Sequence, residues 1–262
     1  METLRSSFPG AGSTTEGPAV QESQRGQLHL FTFGSPMGRK CQIALETLRE
    51  LYGDRVNWTW ERVPLPKKVQ KSDWYMQLNP DGRIPLLVDQ DLIDPSTGKP
   101  AYLRESGAIL LHLVEKFDIN HQVDFDTSFE RQEMLAWIMF CNSALGPAQA
   151  KGNHFCNLRA SGQDVPVARE LFVSEVHRLY QIFEDRLSGK ESGSERDWVA
   201  GKGRGRFSLA EIELFPWIYI HAKFGIMTTD EFNARYIHLT RWLERCWARD
   251  AVRRGVQGYD AW

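Results

Sequence analysis

Near Asp118 the chain changes character, and that change narrows the folds open to it. Upstream, short strand-like runs alternate with helical periodicity. Gln27 to Phe33 (QLHLFTF) is an apolar, aromatic-rich strand candidate that Gly34-Ser35-Pro36-Met37-Gly38 breaks. From Arg39 onward Cys41, Ala44, Leu45 and Leu48 recur at the spacing of one helix face. Val56 to Val63 alternates Val56, Trp58 and Trp60 against polar neighbours and reads as a second strand. A basic loop with two prolines leads to the turn Asn79-Pro80-Asp81-Gly82. Ile84 to Asp89 is a third strand with Pro85 at its start, where a missing N–H is tolerated, and Ala101 to Arg104 is a short fourth. Glu105-Ser106-Gly107 then opens a helix whose Ile109, Leu110, Leu113, Val114 and Phe117 face inward. A β-α-β unit followed by a hairpin and a helix describes a small mixed sheet flanked by helices.

Downstream, strand signals almost vanish. Phe129 to Ala150 is one long helical stretch with a candidate break near Gly146-Pro147, and Val167 to Leu187 is a second. Ser208 and Glu211 have the spacing of a capping box, and the helix they start is apolar nearly all round. Phe232 to Ala248 is the last clear helix. The expected organisation is a disordered tail at 1–26, rich in Gly, Ser, Thr and Pro, a mixed α/β domain at 27–118 and an all-helical bundle at 126–252.

Composition excludes several functions. The 262 residues carry a formal net charge of -2 with no long run of one sign, which favours neither a nucleic-acid nor a membrane partner. No apolar stretch approaches the roughly 20 residues of a spanning helix. Cys41, Cys141, Cys156 and Cys246 stand far apart, without Cys-x-x-Cys or zinc-ligand spacing, so no metal is expected. Sparse cysteines and no signal-peptide core suggest a reducing, cytoplasmic setting, with each cysteine a small buried hydrophobe.

Several segments together carry a resemblance. Arg83-Ile84-Pro85 before a strand, Glu105-Ser106 before a helix, the turn at Asn79, and Trp198-Val199-Ala200-Gly201 leading into Phe207-Ser208-Leu209-Ala210-Glu211-Ile212 are similar to the glutathione transferases. The run Glu105 to Val114, with Trp137 to Phe140 and Gly146 to Gln149, resembles the subgroup of the yeast nitrogen regulator and the bacterial nu-class enzymes. The resemblance spans about Gln27 to Ala248. It implies a thioredoxin-like N-terminal domain with a cis-proline, an all-α C-terminal domain, glutathione as co-substrate and pairing as a homodimer. Its fungal character implies detoxification or secondary metabolism.

Glutathione offers two carboxylates, an ammonium and a thiol. The resemblance implies that Pro85 is cis and that the backbone of Ile84 pairs with the cysteinyl part of the ligand; an ordinary trans proline is the alternative. Ser106 stands at a helix start, where free N–H groups favour an anion, so it suits the γ-glutamyl carboxylate while Glu105 takes the ammonium. Equally, Ser106 is a simple cap beside a solvated glutamate. A thiol at Ser35, before a helix, has its acidity raised by the helix N-terminus; the resemblance assigns the Ser35 hydroxyl to the glutathione sulfur. A turn serine is the alternative. Relatives carry Thr-Pro-Asn here, and Met37 replaces a donor amide with a thioether that cannot donate. The resemblance places Gln70 at the glycyl carboxylate, with Lys71 or Arg39 adding charge; a solvated loop is nearly as good a reading. Phe140, Asn142, His154 and Phe155 are candidates to line a pocket for a small hydrophobic electrophile, or else belong to the core. The implied activity is thiolate attack on that electrophile. Isomerisation, reduction of a peroxide, and a weakly active binding protein are the alternatives.

Overall fold

The computed structural model describes residues 27–257; the expected disordered tail at 1–26 lies outside them. Strand β1 (Leu28–Thr32) runs parallel to β2 (Trp58–Arg62) and antiparallel to β3 (Leu86–Asp94), which pairs antiparallel with β4 (Lys99–Leu103). The sheet order is β2-β1-β3-β4. All five residues of β1 are buried because both sheet faces are covered. Leu28 and Leu30 face the main core with α1 (Pro36–Tyr52) and α3 (Ser106–Phe117). Phe31 faces a smaller cluster with Val63, Tyr75, Leu78, Leu86 and Val88.

The stretch read as a loop between β2 and β3 carries two single 3-10 turns and the short helix α2 (Asp73–Leu78). Six residues are too few for a periodic signal, and α2 is held by tertiary burial of Tyr75 and Leu78. Pro85 lies one residue ahead of β3 rather than within it.

Helix α4 (Ser128–Phe140) does not break at Gly146-Pro147. It passes through a π-helical turn (Cys141–Leu145) into α5 (Gly146–Ala160). A wider turn directly before Pro147 relieves the clash between the proline ring and the carbonyl four residues back. Helix α6 (Pro166–Ser188) packs on α5, and α7 (Leu209–Tyr219) lies in the core with Leu209 to Ile218 all buried. The helix expected over Phe232 to Ala248 is two helices, α8 (Thr229–Arg235) and α9 (Ile237–Trp247), divided at Tyr236. The carboxylate of Glu184, from α6, accepts the N–H groups of His238 and Leu239 and so caps α9 from a distance.

Beyond α9 the sequence signals no further element, yet α10 (Asp250–Gln257) packs along α1. Gly255 lies so near Ile43 that an added Cβ would fall under 3.0 Å from its backbone. Arg254 reaches Glu46 and Glu50 of α1 at 2.8 Å each. Buried residues of the sheet, α1, α3 and the helical bundle form one continuous cluster. Among the described residues no helix is long and apolar enough to cross a membrane, and no group of three or more metal-ligating side chains gathers.

Gly38 fixes how α1 leaves the sheet. An added Cβ would come within 3.0 Å of Thr32 Oγ1 and the Phe33 carbonyl oxygen. Gly38→Ala must therefore push α1 off β1. A loss of about 1–3 kcal/mol, the usual range for overpacking, is expected in urea unfolding; wild-type stability would contradict the fit.

Candidate active site

Three segments far apart in sequence reach one end of the sheet. The register sets Phe31 opposite Leu86 and Leu87 opposite Leu103. Ile84-Pro85, just ahead of Leu86, therefore lies beside the exit of β1 that leads to Ser35. Glu105-Ser106, just beyond Leu103, lies beside the start of β3. One contact closes the set: the Ser106 hydroxyl donates to the Met37 thioether at 3.4 Å.

Ser35 is extended and caps α1. Its Oγ accepts the Gly38 N–H at 3.2 Å, and its carbonyl accepts Arg39 N–H at 2.9 Å. The cap uses a lone pair and leaves the hydroxyl proton able to donate. Ser35 is thus a capping serine whose proton is still available to a sulfur at the mouth of α1.

The Ile84-Pro85 bond is cis. Its position is set by the preceding turn: the Arg83 carbonyl accepts Tyr75 Oη–H and Asn79 Nδ2–H, both at 2.8 Å. Gly82 has φ 59° and backs onto the Gln70 carbonyl, where a Cβ would sit 2.8 Å away. Among the described residues the N–H and C=O of Ile84 make no hydrogen bond. An unbonded pair of this kind is what an added strand requires.

Glu105 is exposed, with φ 63° and ψ 111°, a backbone region that non-glycine residues avoid. It precedes α3, whose first residues Ser106 and Gly107 are buried and whose first N–H groups have no partner within the helix. An anion placed there meets N–H groups and the positive end of the helix.

Gln70 is half-buried, and its Oε1 finds no partner among the described residues. Lys71 beside it donates from Nζ to the Asp81 carbonyl at 2.8 Å. Arg39 does not join them. It is fully buried, and its Nη1 turns to Gln42 Oε1 and to the Gly255 carbonyl under α10, so its expected role at a carboxylate is corrected.

Phe140, Asn142, His154 and Phe155 are not brought together as one set: His154 meets Phe155 edge-on at 5.2 Å, well along the helix from the other two. Phe140 meets Trp137 and Phe183 edge-on inside the bundle, and Phe155 stacks on Phe172 at 5.7 Å. Twelve or more residues of continuous helix put Asn142 and His154 roughly 18 Å apart, too far to line one small pocket. Asn142 instead holds the junction between domains: its Oδ1 accepts Lys40 Nζ at 3.2 Å, and its Nδ2 stands against Gly107. Trp217 is buried within the bundle. All four cysteines are buried and free; burial pushes the Cys41 thiol up to about 12 and those of Cys141 and Cys246 well above the usual range. A thiolate at this site must come from a ligand.

Sequence reasoning missed the partnership of Met37 with Ser106 and the role of Tyr75 in holding Arg83. Neither leaves a sequence signal, because both depend on where β1 and β3 end.

Comparison with known proteins follows the same outline. The family described as glutathione S-transferase, N-terminal domain, matches residues 34–116, and glutathione S-transferase, C-terminal domain, matches 154–250. A glutathione S-transferase-like protein of Aspergillus fumigatus is 31% identical over 74% of this chain and 81% of its own length. The disulfide-bond oxidoreductase YfcG of Escherichia coli is 29% identical over 86% of this chain and 92% of its own. A glutathione transferase homologue of Lodderomyces elongisporus, solved with two glutathione molecules per subunit, superposes with TM-score 0.75 at 27% identity, covering 89% of this chain and 99% of that one. A transferase of Phanerochaete chrysosporium in complex with oxidized glutathione gives 0.73 at 26%, covering 90% and 97%.

Proposed function

The chain belongs to the glutathione S-transferase family, and from that premise we propose that it binds glutathione at the end of its sheet and directs the thiolate onto a small hydrophobic electrophile. The convergence of Ser35, Ile84 and Ser106 on one end of the sheet carries this reading. The Ile84 backbone pairs with the cysteinyl residue. The α3 N-terminus and Ser106 take the γ-glutamyl carboxylate, while Glu105 takes the ammonium. Gln70, with Lys71, serves the glycyl end. Ser35 donates to the sulfur, so the thiolate forms nearer neutral pH. Sulfur then bonds to the electrophilic carbon, and the leaving group departs with the electron pair. The electrophile approaches along the seam between the domains, where Asn142 abuts Gly107. Homodimer formation and a place in fungal detoxification or secondary metabolism belong to the same reading.

A second chemistry has specific support: the Escherichia coli relative is named for disulfide-bond oxidoreduction, and the Phanerochaete transferase holds oxidized glutathione. With its own cysteines buried, this chain would use bound glutathione as the attacking thiolate. A new S–S bond would form to the ligand sulfur as the substrate thiolate leaves.

Calorimetry with glutathione tests the shared premise. Ser106→Ala removes a hydrogen bond to a charged group, worth about 1.5–3 kcal/mol, so binding should weaken roughly 10- to 100-fold. Assays with an aryl halide and with a mixed disulfide then separate the two chemistries. A wild-type chain that does not bind glutathione would sink both.

A further inference from the structure

A buried polar cluster sits where the helical domain meets the mouths of α1 and α3. Lys40 of α1 and Glu213 of α7 are both 0% exposed and form an ion pair. Lys40 Nζ also donates to Asn142 Oδ1 at 3.2 Å. The second carboxylate oxygen of Glu213 has no partner among the described residues. Burying such a pair usually costs more than its attraction returns, so it is weak as a stability device.

Its location gives it another use. Lys40 lies one helical turn beyond Met37, and helical side chains lean toward the N-terminus, here toward Ser35. Asn142, which accepts from that ammonium, also lies against Gly107, whose neighbour Ser106 contacts Met37. Given the glutathione reading above, we propose that Lys40, held by Glu213 and Asn142, is a positioning residue whose buried charge favours the thiolate of bound glutathione. Met37 offers the sulfur no hydrogen; Glu213 cancels most of the ammonium's field, and the ammonium end of the pair, turned to Asn142, makes up a small part of that loss without touching the ligand. An unpaired charge roughly 10 Å from a thiol acts at the scale of about one pH unit or less, and a paired one at a fraction of that.

Other groups facing the pair are Cys41 from α1 and Cys141 from the π-turn. Both thiols are raised by burial and stay neutral near pH 7. Neighbouring Arg39 turns away to the Gly255 carbonyl. Burial raises the Glu213 carboxyl while Lys40 opposes that rise.

The test is the acidity of glutathione bound to the full-length protein, read from thiolate ultraviolet absorbance against pH. Lys40→Met should raise the thiol midpoint, by a few tenths of a unit, because Glu213 without its counter-charge takes up a proton. Glu213→Gln, which keeps the shape and removes the opposing charge, should lower it by about half to one unit. Both variants break the same pair, so a merely structural role predicts no opposed shifts. If Lys40→Met does not fold, the near-isosteric Glu213→Gln still decides the sign. Glutathione that binds with its midpoint unmoved by Glu213→Gln, or moved the same way by both variants, overturns this proposal alone. A wild-type chain that binds no glutathione overturns it together with the proposed function.

Discussion

Ser35→Ala is expected to lower kcat/KM for conjugation by roughly 100-fold, the loss typical when one donor to a developing anion is removed. The same change deletes the cap on Gly38 N–H, which costs about 1 kcal/mol and, in a chain this long, a few degrees of Tm. The two effects separate cleanly. Ser35→Thr retains the hydroxyl and should recover most of both losses; Ser35→Gly, which costs little at an N-cap, should recover stability but not rate. The bound thiol should titrate at higher pH in the Ala and Gly variants. A Ser35→Ala protein with wild-type kcat/KM would leave Ser35 as a cap and nothing more.

The largest expected effect on stability is at Glu211. Its Oε1 accepts the Val199 N–H, and its Oε2 accepts both the N–H and the hydroxyl of Ser208, all at 2.8 Å and all buried. Glu211→Ala strands two buried N–H groups, at about 1–3 kcal/mol each. Urea unfolding should show a loss of about 3–4 kcal/mol, and Tm should fall by about 10 °C. The pH dependence provides an independent check. Burial pushes the Glu211 carboxyl up from 4.5 to about 7 against the pull of its three donors. The folded chain then holds a proton that the unfolded chain sheds between those values. This contribution is complete below 4.5, falls through the interval and is gone above about 7. Glu211→Gln should lack that fall. Parallel stability curves for wild type and Glu211→Gln would show that the carboxylate is charged throughout.

Local features are what the sequence made legible. Strand β1, the α1 face through Cys41 and Leu48, the Ser208 capping box and the start of α3 each depend on neighbours within a few residues, and all are present. The unread features depend on distant partners. Helix α2 exists because Tyr75 and Leu78 bury against the Phe31 side of the sheet. The division of α8 from α9 at Tyr236 is held by Glu184, more than fifty residues earlier. In the site, the turn, the cis bond and the helix mouth could be read from resemblance. The packing of Arg39 under α10 could not, because an arginine after a turn gives no sign that a later helix will cover it. Lys40 and Glu213 are hidden for the same reason: each alone is a charged residue in a helix, and only the junction pairs them.

Helix α10 has a consequence for how this molecule divides. Every residue of α1 from Gly38 to Leu48 is buried, because α3, α7 and α10 pack on it and the sheet shares its core. Cutting the chain near Asp118 would strip the α7 and α10 sides of that helix bare. A graft of the sheet-bearing half onto another helical partner would have to bring its own equivalent of Gly255 and Arg254. The border that shows so plainly in the sequence separates two architectures, while cooperative unfolding should treat them as one body.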